Sequence, residues 1–253
     1  MKTTPVNFIN RAGYQLAGLL DQPSDTTAAA YAVLAHCFTC GKDLKPFVNI
    51  AKALTAQGIA VLRFDFAGLG KSAGEFADSN LSTNETDLVD AATFLEQNFS
   101  APSMLIGHSM GGAAVILAAR QIPGIHAVVT IAAAADATHL GKKLSLAKRQ
   151  AKESGDAAVT IGGQKFTLTR QFFDDLERVS VREAVRDLEA ALLILHSPRD
   201  ETVDIENAAW IFQAARHPKS FVSLDGADHL MLDEKDARYA GSVIAAWSNR
   251  YIL

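Results

Sequence analysis

Little sulfur, little indole and no surplus of positive charge mark this chain. Of its 253 residues only 2 are cysteine and 2 are tryptophan. Cys37 and Cys40 are too few to staple a secreted scaffold, and the N-terminal MKTTPVNFIN lacks the apolar centre of a signal peptide, so a reducing cytoplasmic compartment is expected. Long apolar runs are missing as well. The most apolar stretch, Ile125 to Ala135, is interrupted by His126 and Thr130 and stops well short of the ~18 residues that suggest a membrane span. Lys and Arg total 24 against 28 Asp and Glu, and the net charge of -4 repels phosphate, which excludes a general affinity for nucleic acid or an anionic membrane. What is present is the composition of an ordinary globular protein, 49% apolar and 21% charged, over a length that suits one α/β domain spanning residues 1–253.

Short β-prone runs alternate with helical patterns, the signature of βαβ units that build a mostly parallel sheet with helices on both faces. Buried strands are expected from Tyr31 to His36, Ile59 to Phe64, Ser103 to Gly107, Ile125 to Ile131, Ala191 to His196 and Ser220 to Leu224. An opening hairpin is expected from Val6 to Ile9 and Tyr14 to Leu20, around Gly13. Phe47, Ile50, Ala51 and Leu54 repeat at i, i+3, i+4 and i+7 ahead of a stop at Gly58. Leu88, Ala91, Ala92, Leu95 and Phe99 form a second stripe, behind a capping box read at Ser82-Thr83-Asn84-Glu85. Ala208, Ile211, Phe212 and Ala215, then Ala240, Val243, Ile244 and Trp247, mark two more amphipathic helices. The rhythm fails between Asp136 and Leu188. There a basic stretch (Lys142, Lys143, Lys148, Arg149, Lys152) precedes two β-prone runs joined by Gly162-Gly163, which we read as a small cap insertion over one sheet edge, carrying a hairpin.

One buried strand runs directly into Gly107-His108-Ser109-Met110-Gly111, and helix formers follow at once. That is a GxSxG elbow in its required context. A serine there projects Oγ above the sheet on a strained backbone, and the flanking glycines let strand and helix pack closely. A neutral hydroxyl needs a base, and the base needs an acid to fix its tautomer. In hydrolases of this architecture the acid and then the histidine follow the serine on loops after later strands. Asp200, in the loop after the Ala191 to His196 strand, is the expected acid, with Glu201 and Asp204 as substitutes. His229, in Asp225-Gly226-Ala227-Asp228-His229-Leu230, is the expected base. His196 ends a strand and His217 closes a helix, where surface or helix-end roles are more ordinary, while His36 and His108 adjoin the oxyanion elements and pack or hydrogen-bond there. Two amides, those of Met110 and Phe38, are expected to hold the oxyanion.

Other signals point elsewhere and fall away. Cys37-Phe38-Thr39-Cys40 is a CxxC, yet no second pair completes a zinc site, and the cysteines read as small packing residues open to incidental oxidation. Gly68-Leu69-Gly70-Lys71-Ser72 resembles the end of a phosphate loop but has Asp65 where a glycine is needed, and no helix opens after it to make a dinucleotide site. No metal or organic cofactor is implied. Phe166, Leu168, Phe172 and Phe173 either line an acyl pocket or seal the insertion to the core.

These residues resemble the α/β-hydrolase superfamily from near the N-terminus to Leu253. HCFTCGKD, VLRFDFAGLGKS, LIGHSMGG, LHSPRDETV, IFQAARHPKSFVSLDGADHL and AAWSNRYI are similar to bacterial α/β hydrolases found alone or fused to an OsmC-type peroxide-reductase domain. The resemblance implies an eight-stranded, mostly parallel sheet, the roles of Ser109, Asp200 and His229, and carboxylester hydrolysis. The chain ends at Leu253 without an OsmC-type domain, which weighs against a peroxide-related role. The expectation is therefore a serine esterase acting on small-molecule esters of short to medium acyl chains. Its alternatives are a thioesterase or amidase on the same triad, a redox protein using Cys37 and Cys40, and a non-catalytic binding module.

Overall fold

The computed structural model describes residues 1–135, 144–161 and 163–253. Lys142, Lys143, Gly162 and the start of the insertion at Asp136 lie outside the described residues. The strands are β1 (Lys2–Ile9), β2 (Gln15–Gln22), β3 (Ala30–Ala35), β4 (Ile59–Phe64), β5 (Met104–His108), β6 (Ala127–Ile131), β7 (Asp156–Ile161), β8 (Gln164–Thr169), β9 (Ala191–His196) and β10 (Lys219–Ser223). Eight of them form one sheet in the order β1-β2-β4-β3-β5-β6-β9-β10, while β7 and β8 form a separate antiparallel pair. β1 pairs antiparallel with β2, and β2 antiparallel with β4; every other neighbour in the large sheet is parallel.

All eight expected strands are present, with ends displaced by a few residues. The largest difference is at β1, whose ladder begins at Lys2 paired with Gln22. This outer strand carries Lys2, Thr3, Thr4 and Pro5, residues without the apolar alternation that reveals a buried strand.

Strands β4, β5, β6 and β9 are buried from end to end, β3 except at Tyr31, and their side chains alternate between two cores as the pleat demands. Val33, Leu105, Val128, Leu192 and Ile194 join one core, and Leu34, Ile106, Val129, Leu193 and Leu195 the other. The helices are α1 (Lys45–Thr55), α2 (Leu81–Asn98), α3 (Met110–Ala118), α4 (Ser145–Ser154), α5 (Arg170–Arg178), α6 (Val181–Arg186), α7 (Glu206–Ala214) and α8 (Glu234–Ile252). Phe47, Ile50 and Leu54 of α1 pack with Ala240 and Ile244 of α8 over one face, and Leu88 and Leu95 of α2 pack with α3 over the other.

The second stripe differs from expectation at both ends. Its cap is Asn80, whose side-chain oxygen accepts from the Thr83 amide at 2.8 Å while the Thr83 hydroxyl accepts from the Asn80 amide at 2.8 Å. Phe99 lies past the end of α2 and is exposed, because the chain leaves the helix there with φ -142.

The insertion meets the main body at the loops following β3 and β4. Phe172 of α5 stacks on Phe38 with centroids 5.0 Å apart, and Phe166 of β8 lies 4.6 Å from Phe76. Leu168, Phe172 and Phe173 are buried, whereas Phe166 keeps part of its surface exposed. Lys148 and Lys152 of the basic stretch both reach Glu177, at 2.5 and 3.3 Å, so part of its charge is neutralised within the insertion.

Candidate active site

Ser109 stands between β5 and α3 with φ 55 and ψ -119, a conformation that costs a non-glycine residue on the order of 1–3 kcal/mol. Close packing enforces it. A Cβ at Gly107 would collide with the Gly111 carbonyl, and one at Gly111 with the carbonyls of Ala35 and His36. The same crowding brings the end of β3 beside the elbow, and so sets the loop containing Phe38 next to the first turn of α3. The amides of Phe38 and Met110 donate to no acceptor among the described residues.

Three side chains far apart in the chain meet here. His229 Nε2 lies 3.1 Å from Ser109 Oγ, and His229 Nδ1 lies 2.7 Å from Asp200 Oδ2. The second oxygen of Asp200 accepts the amides of Thr202 and Val203 at 2.8 and 2.9 Å. Burial by itself raises the pKa of Asp200, but the His229 hydrogen bond and those two amides outweigh it and hold the carboxyl below the usual range. An ionised acid on one face of the ring directs the proton to Nδ1 and leaves Nε2 free to accept one.

The loop after β3 is anchored on both sides. His36 donates through Nδ1 to the Cys37 carbonyl at 2.7 Å and accepts at Nε2 from the Phe66 amide at 3.2 Å, and burial lowers the pKa of this ring. Further on, Asp65 accepts the Lys42 amide at 2.8 Å, the Lys42 ammonium at 2.6 Å and the Lys71 amide at 2.9 Å. Gly70 lies against this carboxylate with no room for a side chain. The glycine-rich run from Gly68 to Ser72 thus wraps a carboxylate of the protein itself, which explains its likeness to a phosphate loop. Between these anchors Cys37 and Cys40 form a disulfide across a turn with Phe38 and Thr39 at its centre. The two cysteines are thus present as an oxidised pair, an outcome the reading of them as packing residues open to oxidation allowed.

Two further histidines hydrogen-bond to the backbone nearby, His108 in line with expectation and His196 against it. His196, expected at a surface or helix end, is fully buried, with Nε2 donating to the Val203 carbonyl at 2.8 Å and 3.6 Å from Asp200 Oδ2. Its signal in the sequence is position: it continues the unbroken apolar run of β9. His108 donates through Nε2 to the backbone carbonyl of His229 at 2.6 Å. Burial, and then the neighbouring His229, push its pKa down to about 3. Among the described residues no group of three or more His, Cys, Asp or Glu is placed to hold a metal ion.

The strained elbow at Ser109 lies within a stretch of the chain that matches a known family. The model of the family described as serine aminopeptidase, S33, matches residues 29–179. The chain belongs to this family of α/β hydrolases. This α/β hydrolase is 46% identical to the esterase domain of a Rhodothermus marinus protein, with a TM-score of 0.82 and 100% of both chains covered. Est1E from Butyrivibrio proteoclasticus, solved with ferulic acid, shares the fold at 21% identity and TM-score 0.80, covering 98% of this chain and 99% of that one. GrgF from a Penicillium species is similar at 19% identity and TM-score 0.81, over 100% of this chain and 99% of its own. No curated protein matches the chain. No helix among the described residues is long and apolar enough to cross a membrane.

Proposed function

We propose that this α/β hydrolase is a serine carboxylesterase that cleaves esters of short to medium acyl chains through an acyl-enzyme. The observation that carries the reading is the continuous hydrogen-bonded line from Asp200 through His229 to Ser109 on the strained elbow. Ser109 Oγ attacks the ester carbonyl carbon while His229 Nε2 takes its proton, and the carbonyl electron pair moves onto oxygen, facing the amides of Phe38 and Met110. Collapse expels the alcohol oxygen, which takes the proton back from His229. Water then attacks the acyl-enzyme by the same route and releases the acid. Asp200 keeps the imidazole oriented and offsets its transient charge.

Of the four insertion residues only Phe166 is partly exposed, so we assign contact with the acyl group to Phe166 and Phe38. Leu168, Phe172 and Phe173 hold those two in place. The similarity to a domain described as an esterase supports an oxygen ester over other acyl donors.

The test is hydrolysis of p-nitrophenyl esters from acetate to decanoate by the wild type and by Ser109→Ala. Turnover should fall by about 10⁴-fold or more in the variant, with the melting temperature unchanged, and a fluorophosphonate should label only the wild type. Ester turnover that survives in Ser109→Ala would overturn the reading. Matched thioesters and anilides separate an esterase from a thioesterase or amidase on the same residues.

A further inference from the structure

We propose that His108 and His196 are positioning residues that lock the base and the acid of the site onto the ends of the sheet. The inference rests on the serine-hydrolase reading above. Each histidine is the last residue of a parallel strand, β5 or β9, and each spends its Nε2–H on a backbone carbonyl of a loop that carries a catalytic group.

His108 grips His229 itself, at the carbonyl, 2.6 Å away. Because Ser109 is the next residue after His108, one peptide unit and one hydrogen bond connect nucleophile to base. The rest of that loop is held mainly by its own turns, Ala227 to Leu224 and Met231 to Asp228, and by Leu224 bonding to the His196 carbonyl. His196 closes the acid loop by gripping Val203, the residue whose amide also binds Asp200. Acid and base are thereby fixed to two strands separated in the sheet only by β6.

Each contact uses one feature of the side chain, a single N–H held at ring distance from the end of a strand. Both rings are buried, and the Nδ1 atom of each makes no hydrogen bond among the described residues, so Nε2–H is the donor that each ring offers to the loop.

Phenylalanine at either position keeps the ring and removes the donor; glutamine restores a donor. In His108→Phe and His196→Phe, kcat for p-nitrophenyl acetate should fall by about ten- to a hundredfold with KM within about twofold, because misplacing reacting groups costs chemistry and not binding. Fluorophosphonate labelling of Ser109 should slow in parallel, and His108→Gln and His196→Gln should regain most of the loss. In an Asp200→Ala background, His196→Phe should have little further effect on kcat, since it acts through Asp200. Phe variants with wild-type kcat, or losses confined to KM, would overturn the inference while leaving the esterase intact. If no Phe variant folds, the Gln variants decide: kcat within about fivefold of wild type supports the clamp, and a folded Gln variant with a larger loss overturns it. Wild-type protein with no ester turnover and no labelling removes the serine-hydrolase reading and this inference with it.

Discussion

A serine held at φ 55 survives only if its surroundings leave the backbone no easier path. Gly107 and Gly111 supply that constraint by letting β5, α3 and the end of β3 approach within the space of a missing methyl group. Gly111→Ala sets its new Cβ against two backbone carbonyls, which cannot rotate away as a flexible side chain can. We expect a loss of about 1–3 kcal/mol in chemical unfolding, typical of overpacking, together with slower fluorophosphonate labelling because the elbow and the Phe38 loop are forced apart. A variant with wild-type stability and labelling would mean that the crowding at 111 does not shape the elbow. Ser109, Asp200 and His229 were legible because each follows a recognisable apolar run in a fixed chain order. For His108 only a packing or hydrogen-bonding place near the oxyanion elements was legible, and for His196 not even that, since the alphabet does not distinguish a strand-end histidine that faces solvent from one whose single N–H holds a loop.

At the scale of elements, the start of α2 shows how one stretch of sequence fits two templates. Ser82 with Glu85 and Asn80 with Thr83 have the same spacing, and the structure uses the second. Ser82 serves the insertion instead: its amide and hydroxyl donate to Asp175 at 2.9 and 2.6 Å, and Arg178 closes the group by donating to both residues. Of the residues read as a cap, Ser82 is therefore a fastening between α2 and α5, while Thr83 caps the helix from N3. Two different outcomes follow. Asn80→Ala should cost about 1 kcal/mol of global stability, the usual value of an N-cap, measured by denaturant unfolding. Asp175→Ala leaves the cap intact but strips the Ser82 amide of its acceptor, so limited proteolysis should cut the segment from 144 to 180 faster than in wild type while the main sheet resists. Equal cleavage rates in the two proteins would count against the fastening. The insertion was hard to read beforehand because its elements are short and the fastening joins residues 93 apart in the chain.

Across the whole molecule, the sheet was legible because its inner strands are buried on both faces and so read as continuous apolar runs. What the sequence hid was the set of buried charges that tie distant segments together, since a lone Asp or Arg between apolar neighbours carries no periodic signal. Arg63 binds Asp21 at 2.6 Å, Lys42 binds Asp65, and Asp87 on α2 accepts Asn10 at 2.7 Å and the Ala67 amide at 2.9 Å. Asp65 and Asp87 respond to pH in opposite directions. Asp65 has a lowered pKa, because its bonds to Lys42 and Lys71 outweigh burial, so its contribution is present above the unfolded value and is lost as pH falls. Asp87 is pushed up from 3.8 to about 6, chiefly by burial and against its two hydrogen bonds. Its contribution is complete below the unfolded value and is lost as pH rises through about 6. Comparing wild type with Asp87→Asn cancels the other groups and isolates this one. At about 1.4 kcal/mol per pKa unit, the stability of wild type relative to the variant should decline by on the order of 3 kcal/mol between about pH 4 and 7. Denaturant unfolding at four or five pH values across that window measures the decline directly. A difference that stays flat would mean that the Asp87 carboxyl ionises in the folded protein as readily as in the unfolded chain, despite its burial between α2, the loop after β4 and the β1–β2 turn.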